Sequence, residues 1–258
     1  MFPIRDDIPS GRLPIVNWVV IGICAVVFLA QWQESQRPGP SLVERFGMIP
    51  VRVLHPDRPV MIPDVQVVRT PFGLQQQMDE RLAAPAAVPD PWTLLTCVFL
   101  HGGWMHFLGN MWFLFIFGDN VEDRLGHLGY LLFYLGCGLA ASFAHLATNS
   151  TSNMPTIGAS GAIAGVMGAY FYLYPRASVL TLIPIVFYVD VISLPAPIFL
   201  GIWFVFQLVQ GVVASSVAQA STGVAWWAHI GGFAAGVAAM MLFAQTFGMV
   251  ARPAKEST

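Results

Sequence analysis

Gly158-Ala159-Ser160-Gly161-Ala162-Ile163-Ala164-Gly165-Val166-Met167-Gly168 opens an apolar segment that runs to about residue 174 and stops at Pro175-Arg176. The recurring glycines Gly161, Gly165 and Gly168 mark a helix built for close packing, because small residues let helix backbones approach inside a membrane. Alone, a serine in such a helix is a packing residue. Ala228-His229-Ile230-Gly231-Gly232, with Gly236 beyond, changes the reading. His229, Gly232 and Gly236 are spaced i, i+3, i+7, so an imidazole shares one helical face with two glycines. That face is matched to Gly161, Gly165 and Gly168, and packing the two together brings Ser160 and His229 within hydrogen-bond reach.

The composition demands a membrane. The chain is 56% hydrophobic and 10% charged, against about 25% charged in soluble domains. The apolar residues fall in blocks near the roughly 17–25 residues that a bilayer requires. Such blocks lie at about 15–33, 104–118, 128–148, 157–174, 196–214 and 224–248. The second is short. The first is too long for a signal-peptide core and is read as a retained span. Between spans one and two runs a stretch whose many prolines, from Pro38 to Pro91, exclude a long continuous helix. Residues 177–194 carry Pro184 and Asp190; a charge deep in a bilayer is costly, so this stretch is expected to be interfacial or packed against protein.

These blocks predict an all-α integral membrane protein, a bundle of six transmembrane helices with N-terminus and C-terminus cytoplasmic. Its parts are a cytoplasmic segment 1–14, a membrane domain 15–248 with a long external loop at about 34–103, and a tail 249–258. Orientation follows from Arg5, Arg12, Arg124, Arg176, Arg252 and Lys255 on the inner side. The short outer loops 149–156 and 215–223 lack Lys and Arg, as the positive-inside rule requires. In this topology spans two, four and six run from outside to inside. His106 and Asn110, Ser160, and His229 then all lie near the outer ends of those spans, at similar depth. A seventh span at 177–194 would put Ser160 and His229 on opposite sides.

The chemistry follows from the residue types. A serine hydroxyl needs a base to accept its proton, and histidine is the usual base near neutral pH. His106 and Asn110, in His101-Gly102-Gly103-Trp104-Met105-His106-Phe107-Leu108-Gly109-Asn110, stand i, i+4 on one helical face. Both can donate hydrogen bonds to the charge that develops in an acyl-transfer transition state. The Ser160 backbone N–H is a further donor. His101, His106, His145 and His229 could in principle converge on a metal, but no carboxylate or cysteine stands with them at ligand spacing. No metal or other cofactor is expected. The cysteines read as buried thiols. With a net charge of −2 and no basic stripe, nucleic acid is not an expected partner.

The glycine–serine motif, the Ala228-His229 pair with its glycines, and His106 to Asn110 together resemble the rhomboid family of intramembrane serine proteases. Glu122-Asp123-Arg124 is similar to that family's acidic-x-arginine element. The resemblance covers roughly residues 93–248. It implies a six-helix rhomboid-like bundle with a cavity open to the outside. Ser160 would be nucleophile and His229 general base, as a dyad, with His106, Asn110 and the Ser160 amide as oxyanion hole. Its substrates would be single-pass membrane proteins, cut in or near their spanning helix. Two departures stand out. Some members carry a tyrosine one turn after the nucleophile, stacked on the histidine, where this chain has Ala164; and the first outer loop lacks the family's Trp-Arg pair. Trp203, Phe204 and Phe206 in span five are candidates for the aromatic lateral gate the family is thought to use. A bacterial inner membrane is the expected setting. A catalytically silent, client-binding relative and a histidine-lined transporter are the competing readings.

Overall fold

The computed structural model describes residues 1–37, 39–70, 73–185, 188–216 and 225–247. The expected tail 249–258 and most of the expected outer loop 215–223 lie outside these residues. The chain is mostly helical. Six long helices are α1 (Ile15–Glu34), α5 (Trp104–Leu125), α6 (His127–Thr148), α7 (Ser160–Leu173), α8 (Ala196–Ser216) and α9 (Trp226–Phe247), with short α2 (Leu42–Phe46), α3 (Pro50–Leu54) and α4 (Thr93–Thr96) in the first long loop. By length and composition α1, α6, α8 and α9 can cross a membrane, and α7 is a shorter apolar helix. The second helix, expected to end near 118, continues through Glu122 and Arg124 to Leu125.

α7 is the hub. Every residue from Gly161 to Tyr170 is buried; Gly161 and Gly165 leave room for Ala141 and Cys137 of α6 while their carbonyls meet α9, and Gly168 faces α9 directly. A Cβ on Gly232 would collide with the Gly161 carbonyl oxygen, and one on Gly236 with that of Gly165. A Cβ on Gly168 would likewise strike the Phe233 carbonyl oxygen. Backbone-to-backbone approach of this kind is open only to residues without a side chain.

α1 is clipped to the bundle at both ends. The backbone N–H groups of Val16 and Asn17 donate to the Glu122 carboxylate, at 2.9 and 2.7 Å. A carboxylate from α5 thus caps α1, which has no side-chain cap of its own. The Asn17 amide donates to the Leu114 carbonyl (3.1 Å) and its oxygen accepts from the Tyr130 hydroxyl (2.8 Å). Near the other end, the Gln31 amide pairs with the His101 backbone in both directions, each bond 3.0 Å. α5 and α6 are joined at Gly126, whose φ of +71° is left-handed backbone suited to glycine.

The expectation of an all-α chain is corrected. The described residues also form five strands: β1 (Phe2–Asp6), β2 (Met61–Thr70), β3 (Gly73–Leu82), β4 (Ser178–Ile185) and β5 (Tyr188–Pro195). β4 pairs antiparallel with both β1 and β5, so the N-terminal strand extends the β4–β5 pair into a three-stranded sheet. Val179, Thr181, Ile183, Val189, Val191 and Ile192 are β-branched, which favours extended backbone, and Pro184 forbids a helix. The sheet meets α7 where the Tyr170 hydroxyl donates to Asp6 Oδ2 (2.5 Å). Tyr170 is ten residues beyond Ser160, so this contact lies about 15 Å along α7 from the serine.

The proline-rich loop folds too. β2 and β3 pair in continuous antiparallel register from Met61↔Leu82 to Thr70↔Gly73. At the base of this ribbon Arg81 donates twice to the buried Glu44 carboxylate, at 2.9 and 2.8 Å. Arg52, also buried, donates to the Glu44 and Gly47 carbonyls. The loop then docks on the segment leading into α7. Met48 and Thr156 exchange backbone hydrogen bonds of 3.0 and 2.7 Å, and Gly158 N–H donates to the Cys97 carbonyl at 2.9 Å.

Candidate active site

Ser160 is the first residue of α7. Ahead of it Gly158 adopts φ +133°, a conformation that side chains disfavour. A Cβ there would also stand 3.2 Å from Ser160 Oγ and 3.2 Å from His106 Nε2. The missing side chain therefore leaves one small space onto which the serine hydroxyl and the His106 ring both open.

His229, one turn into α9, is buried at 8% exposure. Its Nε2 lies 2.7 Å from Ser160 Oγ. The glycine contacts between α7 and α9 set this distance, because both side chains sit at the same end of that interface. At this separation the serine can donate its proton directly to the ring.

His106 faces the same space from α5. Its Nδ1 accepts from Gly102 N–H at 3.2 Å, which leaves Nε2 as the N–H of a neutral ring. Asn110, one turn further along α5, is buried, and its Nδ2 finds no hydrogen-bond partner among the described residues. A buried unpaired amide costs about 1–3 kcal/mol, a cost recovered when an acceptor enters. The Ser160 N–H belongs to the first turn of α7, where backbone donors lack intrahelical acceptors. Imidazole, carboxamide and peptide N–H form a set suited to an oxyanion beside Ser160 Oγ.

The sequence reading missed one residue. His229 Nδ1 lies 2.6 Å from Oε1 of Gln207, a buried side chain on α8. Two indoles complete the surroundings of the ring: Trp203, with centroids 6.0 Å apart and planes at 37°, and Trp226, at 6.1 Å and edge-on. Ala164 occupies the position of the absent tyrosine and is buried within α7. Trp203 and Phe204 both contact Phe233 on α9, and Phe206 contacts Trp226 edge-on. Gln207 escaped notice because it is 22 residues from His229 on another helix, within no local motif. The only signal was the presence of carboxamides, Gln207 and Gln210, in an otherwise apolar helix.

His101 lies beside His106, with ring centroids 5.5 Å apart. No group of three or more His, Cys, Asp or Glu side chains among the described residues could hold a metal ion.

A multi-pass integral membrane bundle, with a hydroxyl and an imidazole joined between its two most closely packed helices, is the class that this fold and site define. The model of the Rhomboid domain matches residues 89–246, and the chain belongs to the rhomboid family. It is 36% identical to RHOMBOID-like protein 5 of Arabidopsis thaliana over 171 residues, 62% of this chain and 52% of that protein. It is 40% identical to Rhomboid protease GluP of Bacillus subtilis over 82 residues, 32% of this chain and 16% of that one. With Rhomboid protein 1, mitochondrial, of Saccharomyces cerevisiae it shares 28% identity over 149 residues, 56% of this chain and 40% of the relative. The chain thus spans about half the length of the first of these relatives and less of the others.

Proposed function

We propose that the protein is an intramembrane serine endopeptidase that cleaves single-pass membrane proteins in or near their spanning helix. The observation that carries the proposal is the 2.7 Å contact between Ser160 Oγ and His229 Nε2. His229 accepts the serine proton as Oγ attacks the scissile carbonyl carbon. The carbonyl oxygen becomes an oxyanion and takes hydrogen bonds from His106 Nε2, Asn110 Nδ2 and the Ser160 N–H. The imidazolium returns its proton to the departing amine, leaving an acyl-enzyme on Ser160. A water molecule, deprotonated by the same ring, then hydrolyses that ester.

The proposed setting is six membrane spans, the long helices α1 and α5 to α9, with both termini cytoplasmic and the dyad toward the outer face. Arg5 and Arg12 near the N-terminus and Arg124 at the end of α5 support this orientation, since α5 begins at the dyad end and finishes at the opposite one. A bacterial inner membrane is the proposed location. A substrate helix hides its backbone in its own hydrogen bonds, so glycine or another helix-weakening residue near the cut favours cleavage.

The test is cleavage of a single-pass substrate by the purified full-length chain in detergent. Wild type should cut, while Ser160→Ala and His229→Ala should not. Cutting that persists in Ser160→Ala ends the proposal. Stable capture of the substrate with no cleavage by wild type supports the client-binding reading instead.

A further inference from the structure

Among the described contacts at His229, the bond to Gln207 alone decides which ring nitrogen carries the proton. A serine hydroxyl both donates and accepts, so Ser160 fits either tautomer. The flanking indoles of Trp203 and Trp226 limit the ring plane. Gln207 Oε1 can only accept, which places the hydrogen on His229 Nδ1 and the lone pair on Nε2, facing Ser160. With the amide reversed, its NH2 would face Nδ1, the hydrogen would move to Nε2, and the ring could not act as base.

Resting on the Ser160–His229 reading above, we propose that Gln207 is the positioning residue of this site, selecting the base-competent tautomer of His229 and fixing the ring's direction. It takes the place that a carboxylate holds in a Ser–His–Asp arrangement. When the ring becomes imidazolium, Nδ1–H keeps its acceptor, and the amide dipole opposes part of the new charge. The bond also ties the chemistry to α8. That helix carries Gln207, whereas the expected reacting groups come from α5, α7 and α9. Its outer face, including Ile198, Ile202, Val205 and Val209, is exposed apolar surface. Hydrogen bonds weaken steeply with distance, so a displacement of α8 away from α9 releases the ring and disarms the base.

Two variants and one spectrum test this. Gln207→Met keeps length and volume with only a weak thioether acceptor, and Gln207→Glu keeps a carboxyl oxygen. The Met variant should lower kcat about ten- to a hundredfold with KM unchanged and the thermal midpoint in detergent unmoved. The Glu variant should recover most of that rate. In the full-length chain labelled with 15N-histidine, the His229 signal, assigned by its loss in His229→Asn, should report Nδ1–H. It should shift toward the other tautomer in Gln207→Met. Wild-type kcat in Gln207→Met overturns the proposal, as does an Nε2–H tautomer in the wild type. Failure of Gln207→Glu to recover, with both variants melting early, makes Gln207 a packing residue and equally overturns it. The tautomer is read without turnover, so Nδ1–H in a wild type that cuts nothing counts against the protease reading and leaves the Gln207 tether standing.

Discussion

At Gly158 the backbone turns through φ +133° so that Ser160 Oγ and His106 Nε2 can share a space that a methyl group would fill. Gly158→Ala therefore adds backbone strain of about 1–3 kcal/mol and blocks the position where a substrate carbonyl would sit. The expected result is loss of cleavage with the helical signal in circular dichroism retained. Asn110 acts differently, because its Nδ2 has no hydrogen-bond partner among the described residues. Asn110→Ala should reduce kcat about a hundred- to a thousandfold while leaving thermal stability equal or higher, as a buried unpaired amide is removed. A matched loss of rate and stability would argue that Asn110 serves the fold. Ser160, His229, His106 and Asn110 were legible in the sequence because each pair sits at a helical spacing or beside a glycine face. Gln207 was not, since nothing local links it to a ring on another helix.

The pairing of α7 with α9 is what sets the distance between hydroxyl and ring. Gly236 lies against the Gly165 carbonyl oxygen, so even one added methyl group overlaps backbone. Gly236→Ala should cost about 1–3 kcal/mol, lower the unfolding midpoint and reduce cleavage together. Gly22 in α1 has open space where a Cβ would project, and Gly22→Ala should leave both unmoved. Spacings of three, four and seven residues are local, which is why these helix faces are readable in the sequence. The strands were hidden for a different reason. β1 finds its partner in β4, with Phe2 opposite Leu182, and no local periodicity encodes a pairing so distant. The same holds for Glu122, which belongs by sequence to α5 but caps α1.

Across the whole molecule, each end of α7 is tied down by chain outside the long helices. The folded first loop holds the entry to Ser160 through Met48, Thr156 and Cys97. At the far end, β1 holds Asp6 against the Tyr170 hydroxyl and the Asn120 amide. Burial is the main force raising Asp6 from 3.8 to about 7, and Asp119 and Asp7 add to it, against the hydrogen bond from Tyr170. Between about pH 4 and 7 the folded chain therefore keeps a proton that the unfolded chain has lost. Stability from this residue is full below that window, declines as pH rises through it, and is level above about 7. Thermal midpoints of wild type and Asp6→Asn, compared from pH 5 to 9, should diverge with rising pH up to about 7, with the asparagine variant the more stable. A constant difference would show that Asp6 does not change its charge on folding in this way.

The central claim is that Ser160 is a nucleophile armed by His229. The most direct measurement is reaction of the full-length chain with a fluorophosphonate probe, followed by mass mapping of the adduct. One modification at Ser160, lost in Ser160→Ala and strongly slowed in His229→Ala, is the predicted result. Unchanged labelling of Ser160 in His229→Ala, or no adduct at Ser160 in a wild type that cleaves its substrate, would contradict it.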